Sequence, residues 1–313
     1  MKIRLLRDFN RATDFLNSNF SAPTHWPEWN LLVSRYFKTD FYYYGAYEKD
    51  DLIGICPIHK VKKGFLSCLY SGQFHYIPYG GWIFSHKRFM ADKDVRLDKL
   101  AASYSFTLPM IEEFNVTYSI ENKRTMKTLI IDLYNSLDSI WEDDIDSKRR
   151  NMIRKAEKNG LVVQAKADQV AHFYAFYKEA NLRNNLPNLP EDFFHELIGT
   201  THNIQFDMLW AKKDDEPLGI ALVARDKSYA FYWLGVRIEH KPNLGQGELL
   251  QWEAIKKNKD YGCRYYDLCY IEKERLPHIY EFKKGFSSTE ADIALLSKKS
   301  FSYRVANKIS KWT

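Results

Sequence analysis

The clearest succession of apolar and polar stretches along the chain lies between residues 228 and 286. Ser228–Gly235 is a short aromatic and apolar run without a helical stripe, which predicts a buried strand. Residues 248–256 then carry apolar side chains at helical spacing, Tyr261-Gly262 predicts the end of that helix, and Cys263–Cys269 again has the pattern of a strand. This succession predicts a βαβ unit, in which a helix connects two parallel strands.

The turn before the predicted helix contains Pro242 and two glycines. Exposed amide groups and the positive end of the helix dipole make such a helix start a binding site for anions. The residues that would hold the phosphates of a donor molecule are Leu244, Gly245, Gln246, Gly247 and Glu248. A βαβ unit with an ordinary glycine turn and no ligand explains the same pattern, so both alternatives stay open.

A second pattern occurs twice. Phe41–Tyr47 and Leu52–Ile58 predict two strands joined by a charged turn, and Asp207–Lys212 and Leu218–Ala224 repeat that arrangement. The repeat indicates duplication of one unit, so we expect a mixed α/β fold with two similar domains. Further elements are predicted as helices at Arg11–Asn19, Glu28–Phe37, Gln169–Arg183 and Glu191–Ile198, and as a strand at Thr128–Leu133.

The stretch 147–160 is strongly basic and follows an acidic segment, Trp141–Asp146. Ser147 is predicted to cap a helix there. Steps of four place three cations on one helix face: Arg150, Arg154 and Lys158. Such a face either binds phosphate groups or is a solvated surface neutralised by the preceding acidic residues.

The order and spacing of several motifs resemble the Fem-type peptidyl and aminoacyl transferases, which belong to the GNAT acyltransferase superfamily. The resemblance covers residues from about 130 to 290 and is weaker before them. It rests on the basic stretch 147–160 and on Trp210, Pro217-Leu-Gly219, Tyr232-Trp-Leu-Gly235, Leu249-Leu-Gln-Trp-Glu253, Gly262, Tyr266-Asp-Leu268 and Phe282-Lys-Lys-Gly-Phe286. It implies two tandem GNAT-like domains, residues 1–140 on the acceptor side and 141–296 as the donor and catalytic domain, followed by a basic amphipathic tail at 297–313.

The resemblance also implies a catalytic set. Lys283 matches the lysine after phenylalanine in the Fem-type motif, which is associated with transfer, and Phe282 would lie beside the substrate. An ammonium at position 283 would stabilise the oxyanion or a phosphate, and a surface lysine beside Lys284 is the alternative. Asp267 would accept the amine proton or orient Lys283, unless it is a structural carboxylate. Tyr232 would donate a proton to the leaving group, and a buried, hydrogen-bonded tyrosine is the alternative.

The acceptor side is implied in the same way. The basic helix would clamp the phosphates of an acceptor or a transfer RNA backbone. Arg183 would contact substrate from the loop after its helix, which a short αα-hairpin connection explains equally. Tyr79, with Gly80, Gly81 and His75, would lie near the acceptor in the first domain, with ordinary hairpin packing as the alternative.

The donor implied by the family is aminoacyl-tRNA in the Fem-type branch and acyl-CoA in other GNAT relatives. Pro242 departs from the usual GNAT donor signature, which has Arg or Gln at that position. The sequence therefore predicts an N-acyltransferase that modifies an amine of a phosphorylated or lipid-linked cell-envelope precursor, such as a peptidoglycan peptide or an amino sugar. A non-catalytic GNAT module that binds an anionic glycan or RNA is the alternative.

Composition and charge indicate which partners, sites and cellular compartment to expect. The formal net charge of +6 favours anionic partners without indicating a dedicated nucleic-acid binder. The four cysteines have neither metal-site nor disulfide spacing, so no metal is expected. Charge appears too early for a signal peptide and no apolar run has membrane-spanning length, which favours a cytoplasmic protein. The tail carries Phe301, Val305, Ile309 and Trp312 at helical spacing among basic residues, so it predicts either peripheral contact with an anionic membrane or packing on the protein itself.

Overall fold

The computed structural model describes residues 1–64, 66–72, 77–91, 102–119, 123–199, 202–239, 241–270, 274, 276–301 and 303–304. The chain divides into two compact units. Unit 1 consists of Met1–Lys127 together with Ala291–Thr313, and unit 2 of Thr128–Glu290.

Unit 1 is built on a sheet with the strand order β1-β2-β3-β4-β7-β15. Neighbouring strands are antiparallel except β4 and β7, which are parallel. The strands are β1 (Lys2–Leu6), β2 (Asp40–Glu48), β3 (Asp51–Lys63), β4 (Leu66–Ser71), β5 (Ile83–Phe84), β6 (Arg88–Ala91), β7 (Ser103–Pro109), β8 (Val116–Ser119) and β15 (Glu290–Lys299), and the helices are α1 (Phe9–Ser18) and α2 (Pro27–Phe37). The seven central residues of β2 are all buried, which explains its continuous aromatic run.

Unit 2 has the strand order β9-β14-β13-β12-β11-β10. Its strands are β9 (Lys123–Asp132), β10 (Val162–Ala165), β11 (Gln205–Lys213), β12 (Glu216–Arg225), β13 (Tyr229–Arg237) and β14 (Tyr265–Asp267). Its helices are α3 (Ser147–Lys158), α4 (Val170–Arg183), α5 (Glu191–Gly199), α6 (Gln246–Tyr261) and α7 (Pro277–Lys284). Strands β13 and β14 are parallel and α6 connects them, so the predicted βαβ unit is confirmed.

The predicted duplication is confirmed by topology. In chain order, each unit contains one strand, two helices and three antiparallel strands. A further strand then pairs in parallel with the third of the antiparallel strands. The series is β1-α1-α2-β2-β3-β4 with β7 in unit 1, and β10-α4-α5-β11-β12-β13 with β14 in unit 2. The fold is therefore mixed α/β with two similar units, as the sequence predicted.

The unit boundaries lie at Lys127/Thr128 and Glu290/Ala291, whereas the sequence placed domain boundaries at 140/141 and 296/297. The end of β9 belongs to unit 2 because Ile130–Asp132 pair with β14. The tail does not begin as a helix at residue 297, because Ser297–Lys299 continue β15 and pair with β7. Residues 305–313, which carry most of the predicted amphipathic pattern, lie outside the described residues.

Three local boundaries also differ from the sequence prediction. Asp146, not Ser147, is the N-cap of α3, and its carboxylate accepts a hydrogen bond from the Arg149 amide at 2.7 Å. Helix α6 begins at Gln246, two residues earlier than predicted, and ends as expected at Gly262. Strand β14 is shorter than predicted because Cys269 leaves it with a left-handed φ of 57°. Within the described part of the chain, no helix is both long and apolar enough to cross a membrane.

Candidate functional site

Strands β13 and β14 separate part of the way along β13. They pair only from Tyr229 to Phe231, opposite Tyr265 to Asp267. Beyond that point the chain turns away at Cys269, and no described strand pairs with this side of β13 from Tyr232 onward. On this side Tyr232 and Leu234 have no partner strand among the described residues, and we call this part of β13 the open edge.

A β-bulge shapes the open edge. Leu222 pairs with Leu234 and Val223 with Tyr232, so Trp233 is an extra residue in β13. The hydroxyl of Tyr232 lies against Gly235, where a Cβ atom would collide with it. Burial raises the pKa of Tyr232 to about 12, which keeps its hydroxyl protonated at neutral pH. The sequence left open a hydrogen-bonded tyrosine here, but this hydroxyl bonds to no other described residue.

Lys283 reaches the same place from α7. Its side chain is only 6 % exposed, and the ammonium donates a hydrogen bond to the Cys269 carbonyl oxygen at 3.2 Å. The ammonium also lies 5.5 Å from the ring centroid of Tyr232. Burial lowers the pKa of Lys283 below its ordinary value. The structure thus brings together Lys283 and Tyr232, two of the three predicted catalytic residues, at the open edge.

The third, Asp267, is fully buried and holds the local fold together. One carboxylate oxygen accepts hydrogen bonds from the Thr128 hydroxyl at 2.5 Å and the Cys269 amide at 2.7 Å, and the other accepts one from the Tyr229 hydroxyl at 2.6 Å. With both oxygens engaged, this geometry is that of a structural carboxylate. The hydrogen bond that it accepts from the Cys269 amide shapes the turn whose carbonyl oxygen accepts a hydrogen bond from Lys283, so Asp267 acts on Lys283 only through this turn.

The predicted donor-phosphate residues form the start of α6. The amides of Gln246, Gly247 and Glu248 make no hydrogen bond within the described part of the chain, as is usual for the first turn of a helix. The amides of Leu244 and Gly245 are already used, because they donate to the side chains of Gln246 and Asn243. Three open amides at a helix N-terminus fit an anionic group.

The two glycines of this turn have different surroundings. Gly245 has a φ of 92°, and a Cβ atom there would collide with the Met152 carbonyl oxygen of α3, so packing and backbone conformation explain it without a ligand. Gly247 faces the ring of Phe282, which a Cβ atom would approach to 3.5 Å. That distance is an ordinary van der Waals contact, so only the open amides point to a ligand, while Gly245 agrees with the ordinary-turn alternative.

The basic helix α3 uses its cations in several ways. Arg150 donates to the carbonyl oxygens of Trp141, Glu142 and Ile145, at 2.8 to 2.9 Å, and so closes the preceding turn. Arg154 is exposed, with its guanidinium 5.3 Å from the Trp141 ring centroid, and Lys158 is exposed. Arg154 and Lys158 remain placed to meet a ligand, whereas Arg150 has a structural set of partners.

The other predicted acceptor residues are more dispersed. Arg183 donates to the Arg237 carbonyl oxygen at 3.2 Å and pairs with Glu179 and Glu239, so it fastens α4 to the end of β13. Tyr79 belongs to unit 1 and its side chain is completely buried, which agrees with the packing alternative. His75 lies outside the described residues.

Sequence reasoning missed Arg149, which is only 9 % exposed. Its guanidinium donates to the Glu248 carboxylate at 2.9 Å and to the Glu281 carbonyl oxygen at 3.1 Å, and lies 4.9 Å from the Phe282 ring centroid. The helical period contained the signal, because Arg149, Ile153 and Ala156 follow the spacing i, i+4, i+7 of the buried face. The predominance of exposed cations in this stretch concealed it.

Part of unit 2 is similar to a known protein family. Residues 147–284 match the family profile described as "Acetyltransferase (GNAT) domain". Among curated protein sequences, no match was found.

Solved structures with the same fold span nearly the whole chain. The crystal structure of FemX has a TM-score of 0.65 at 11% identity, covering 93% of this chain and 97% of FemX. The structure of L-PGS from Bacillus licheniformis has a TM-score of 0.55 at 11% identity, covering 96% and 95%. The C-terminal domain of a putative lysylphosphatidylglycerol synthetase from Agrobacterium fabrum has a TM-score of 0.52 at 13% identity, covering 92% and 90%. The predicted resemblance is thereby confirmed: residues 147–284, which make up most of unit 2, match the GNAT acetyltransferase domain, and the chain has the two-unit fold of FemX.

Proposed function

We propose that the protein is an N-acyltransferase that moves an acyl or aminoacyl group to an amine. The observation that carries the proposal is the open edge of β13, with Lys283 and Tyr232 beside it. Unpaired strand amides can hold the carbonyl group of an activated acyl donor, and a nearby ammonium stabilises the negative charge that develops on that oxygen.

The chemistry is a direct transfer within a ternary complex. The acceptor amine attacks the acyl carbonyl carbon, and the bond between that carbon and the leaving sulfur or oxygen breaks. Amides of the open edge and the Lys283 ammonium stabilise the oxyanion. The protonated Tyr232 hydroxyl gives its proton to the leaving group, and the phenolate that results takes up the proton that the attacking amine nitrogen loses. Holding donor and acceptor together at this edge accounts for a large part of the acceleration.

The donor in this proposal is acyl-CoA or aminoacyl-tRNA. Its phosphates bind near the open amides of Gln246, Gly247 and Glu248. The acceptor is an amine of a phosphorylated or lipid-linked cell-envelope precursor, either a peptidoglycan peptide or an amino sugar, and Arg154 and Lys158 offer cations to its phosphates. The Fem-type resemblance supports this choice of acceptor. In this proposal the reaction takes place in the cytoplasm, and the tail gives peripheral contact with the membrane.

The first test identifies the donor class. A ligand that binds only the native protein at about 100 times its Kd raises the free energy of unfolding by about 2.7 kcal/mol. We expect either a thermal shift with coenzyme A and acetyl-CoA, or salt-sensitive retention of charged transfer RNA in a filter-binding assay. Uncharged transfer RNA and free adenosine diphosphate serve as controls for recognition of polyanions alone.

The second test measures transfer directly with the donor that binds. Radiolabelled acyl groups should appear on an amine-bearing envelope precursor and not on its N-acetylated form. Lys283→Met should abolish that transfer, and Lys284→Met, which alters only the neighbouring exposed pair with Glu290, is the matched control. Transfer that survives Lys283→Met would remove Lys283 from the mechanism.

One observation favours the binding-module alternative. Asp267 is fully engaged in structural hydrogen bonds, so it does not serve as the free general base that transfer to an ammonium substrate needs. If neither donor binds, and an anionic glycan or RNA is retained through Arg154 and Lys158, this second function replaces the first. Double substitution of Arg154 and Lys158 by Met should then abolish retention.

A further inference from the structure

Three elements of unit 2 meet at one side chain. Arg149 extends from the first turn of α3 to the first turn of α6, where it pairs with Glu248 at 2.9 Å. The same guanidinium donates to the Glu281 carbonyl oxygen of α7 at 3.1 Å and stacks on the Phe282 ring. These two contacts lie on the residues immediately before Lys283.

The residues that follow Lys283 are also held by the start of α3. The Asp146 amide, just before α3, donates to the Gly285 carbonyl oxygen at 2.9 Å. A Cβ atom at Gly285 would come within 2.6 Å of the Asp146 carboxylate and 2.7 Å of the Arg149 side chain, so the last turn of α7 packs closely on the start of α3. The backbone around Lys283 is thus fixed on both sides.

The contacts at the tip of Lys283 are few by comparison. One carbonyl group accepts a hydrogen bond from its ammonium and one ring lies beside it, so the tip alone does not define a single position for a long, flexible side chain. Its place at the open edge therefore depends on where α7 is held. Arg149 supplies the charged part of that attachment.

The type of side chain matters for this attachment. A guanidinium presents several donors in a rigid fork and can serve a carboxylate and a carbonyl group at once while stacking on a ring. A lysine ammonium in its place can keep the pair with Glu248 but cannot reproduce the fork and the stacking together. The Arg149 Nε atom is buried without an acceptor, so the side chain is held there at some cost in desolvation.

We propose that Arg149 is a positioning residue, which joins the first turn of α6 to α7 and thereby sets the place of the Lys283 ammonium at the open edge of β13. The inference rests on the proposed function only for what Lys283 does once it is in place. It also links the turn at which donor phosphates would bind to the residue that would stabilise charge in transfer.

The decisive experiment measures Lys283 itself. Arg149→Met is compared with wild-type protein by competitive labelling of lysines with trace acetic anhydride across a pH series, and the Lys283 peptide is quantified by mass spectrometry. Arg264→Met is the matched control, because Arg264 also combines an ion pair, with Asp132 at 2.8 Å, with stacking on a ring, but lies at the opposite end of β14.

In Arg149→Met we expect the apparent pKa of Lys283 to rise towards its ordinary value, because a released α7 lets water reach the ammonium. We also expect the labelling rate of the neutral amine, measured at pH values above that pKa, to increase about tenfold, because the reagent reaches a residue that is buried in wild type. Arg264→Met should match wild type, and Arg149→Lys should fall between wild type and Arg149→Met. If Arg149→Met does not fold, Arg149→Lys is compared with wild type alone, and a shift in the same direction is expected. Equal Lys283 profiles in wild type and the folded Arg149 variants would overturn the proposal.

Transfer kinetics separate this proposal from the proposed function. With an active donor, Arg149→Met should lower kcat about tenfold or more while the KM for the donor changes little, since a misplaced charge weakens the transition state more than substrate binding. If wild-type protein transfers no acyl group, the proposed function fails, yet the labelling experiment still decides whether Arg149 positions Lys283.

Discussion

The hydroxyl of Tyr232 lies directly against Gly235 on the same strand, in space that a Cβ atom would occupy. The tyrosine side chain therefore folds along the open edge of β13 because the residue three positions later has no side chain. The ring of the same tyrosine lies 5.5 Å from the Lys283 ammonium, measured to the ring centroid.

Gly235→Ala should displace the Tyr232 hydroxyl from the open edge. Because Gly235 is exposed and the colliding atom is the end of a side chain that can move, we expect the melting temperature to change little, while transfer falls about tenfold or more through misplacement of a reacting group. Gly199→Ala is the control, since a Cβ atom there meets nothing within 4 Å. Unchanged transfer in Gly235→Ala would argue against a role for Tyr232.

Lys283→Met should make the protein more stable as it becomes inactive. Replacing a buried ammonium that has a single hydrogen bond by an apolar chain of similar length removes its desolvation cost, and we expect a gain of about 1 kcal/mol in the free energy of unfolding. Urea denaturation measures the gain. A loss of stability would mean that the ammonium contributes to the fold.

The pH dependence of stability follows from the same residue. The pKa of Lys283 is lowered by burial, so between that pKa and the ordinary value of 10.5 the unfolded chain binds a proton that the folded protein has lost. The free energy of unfolding therefore rises with pH across this interval. The contribution is isolated as the difference between wild type and Lys283→Met, and a difference that does not vary with pH would contradict it.

Asp267→Asn should destabilise unit 2. The substitution replaces one of the two carboxylate oxygens by an NH2 group, so either the Tyr229 hydroxyl or the Thr128 hydroxyl and Cys269 amide lose their acceptor and face another donor. We expect a loss of about 1 to 3 kcal/mol in denaturant unfolding. Asp132→Asn, on the neighbouring strand with an exposed partner in Arg264, should lose less than about 1 kcal/mol.

The helices and strands of this fold could be predicted where apolar residues recur at one regular spacing. Strands β2, β3, β11 and β12 and the helices around them follow from alternating or helical apolar spacing, and their positions agree with the structure. The end of β14 could not be predicted, because it depends on the left-handed conformation of Cys269. The Asp267 carboxylate stabilises that conformation by accepting a hydrogen bond from the Cys269 amide. No local pattern announces such a bond.

The residues of the site also divide into those that the sequence could reveal and those that it could not. The motif around Lys283 could be found because its residues are consecutive, and the structure brings that lysine to Tyr232. The role of Gly245 could not be separated from ligand binding in the sequence, because the carbonyl group of Met152 that requires it lies in another helix. Arg149 was hidden for the same reason, since its partners Glu248 and Glu281 are about a hundred residues or more away.

The strand β15 has a consequence for biosynthesis. It completes the sheet of unit 1 beside β7, yet it is synthesised only after all of unit 2 has been synthesised. Until then the edge of β7 has no partner from β15, which is a setting in which nascent strands pair wrongly. Unit 2 is continuous in the chain and can fold first, so the native state of unit 1 is reached last although its first residues are the oldest.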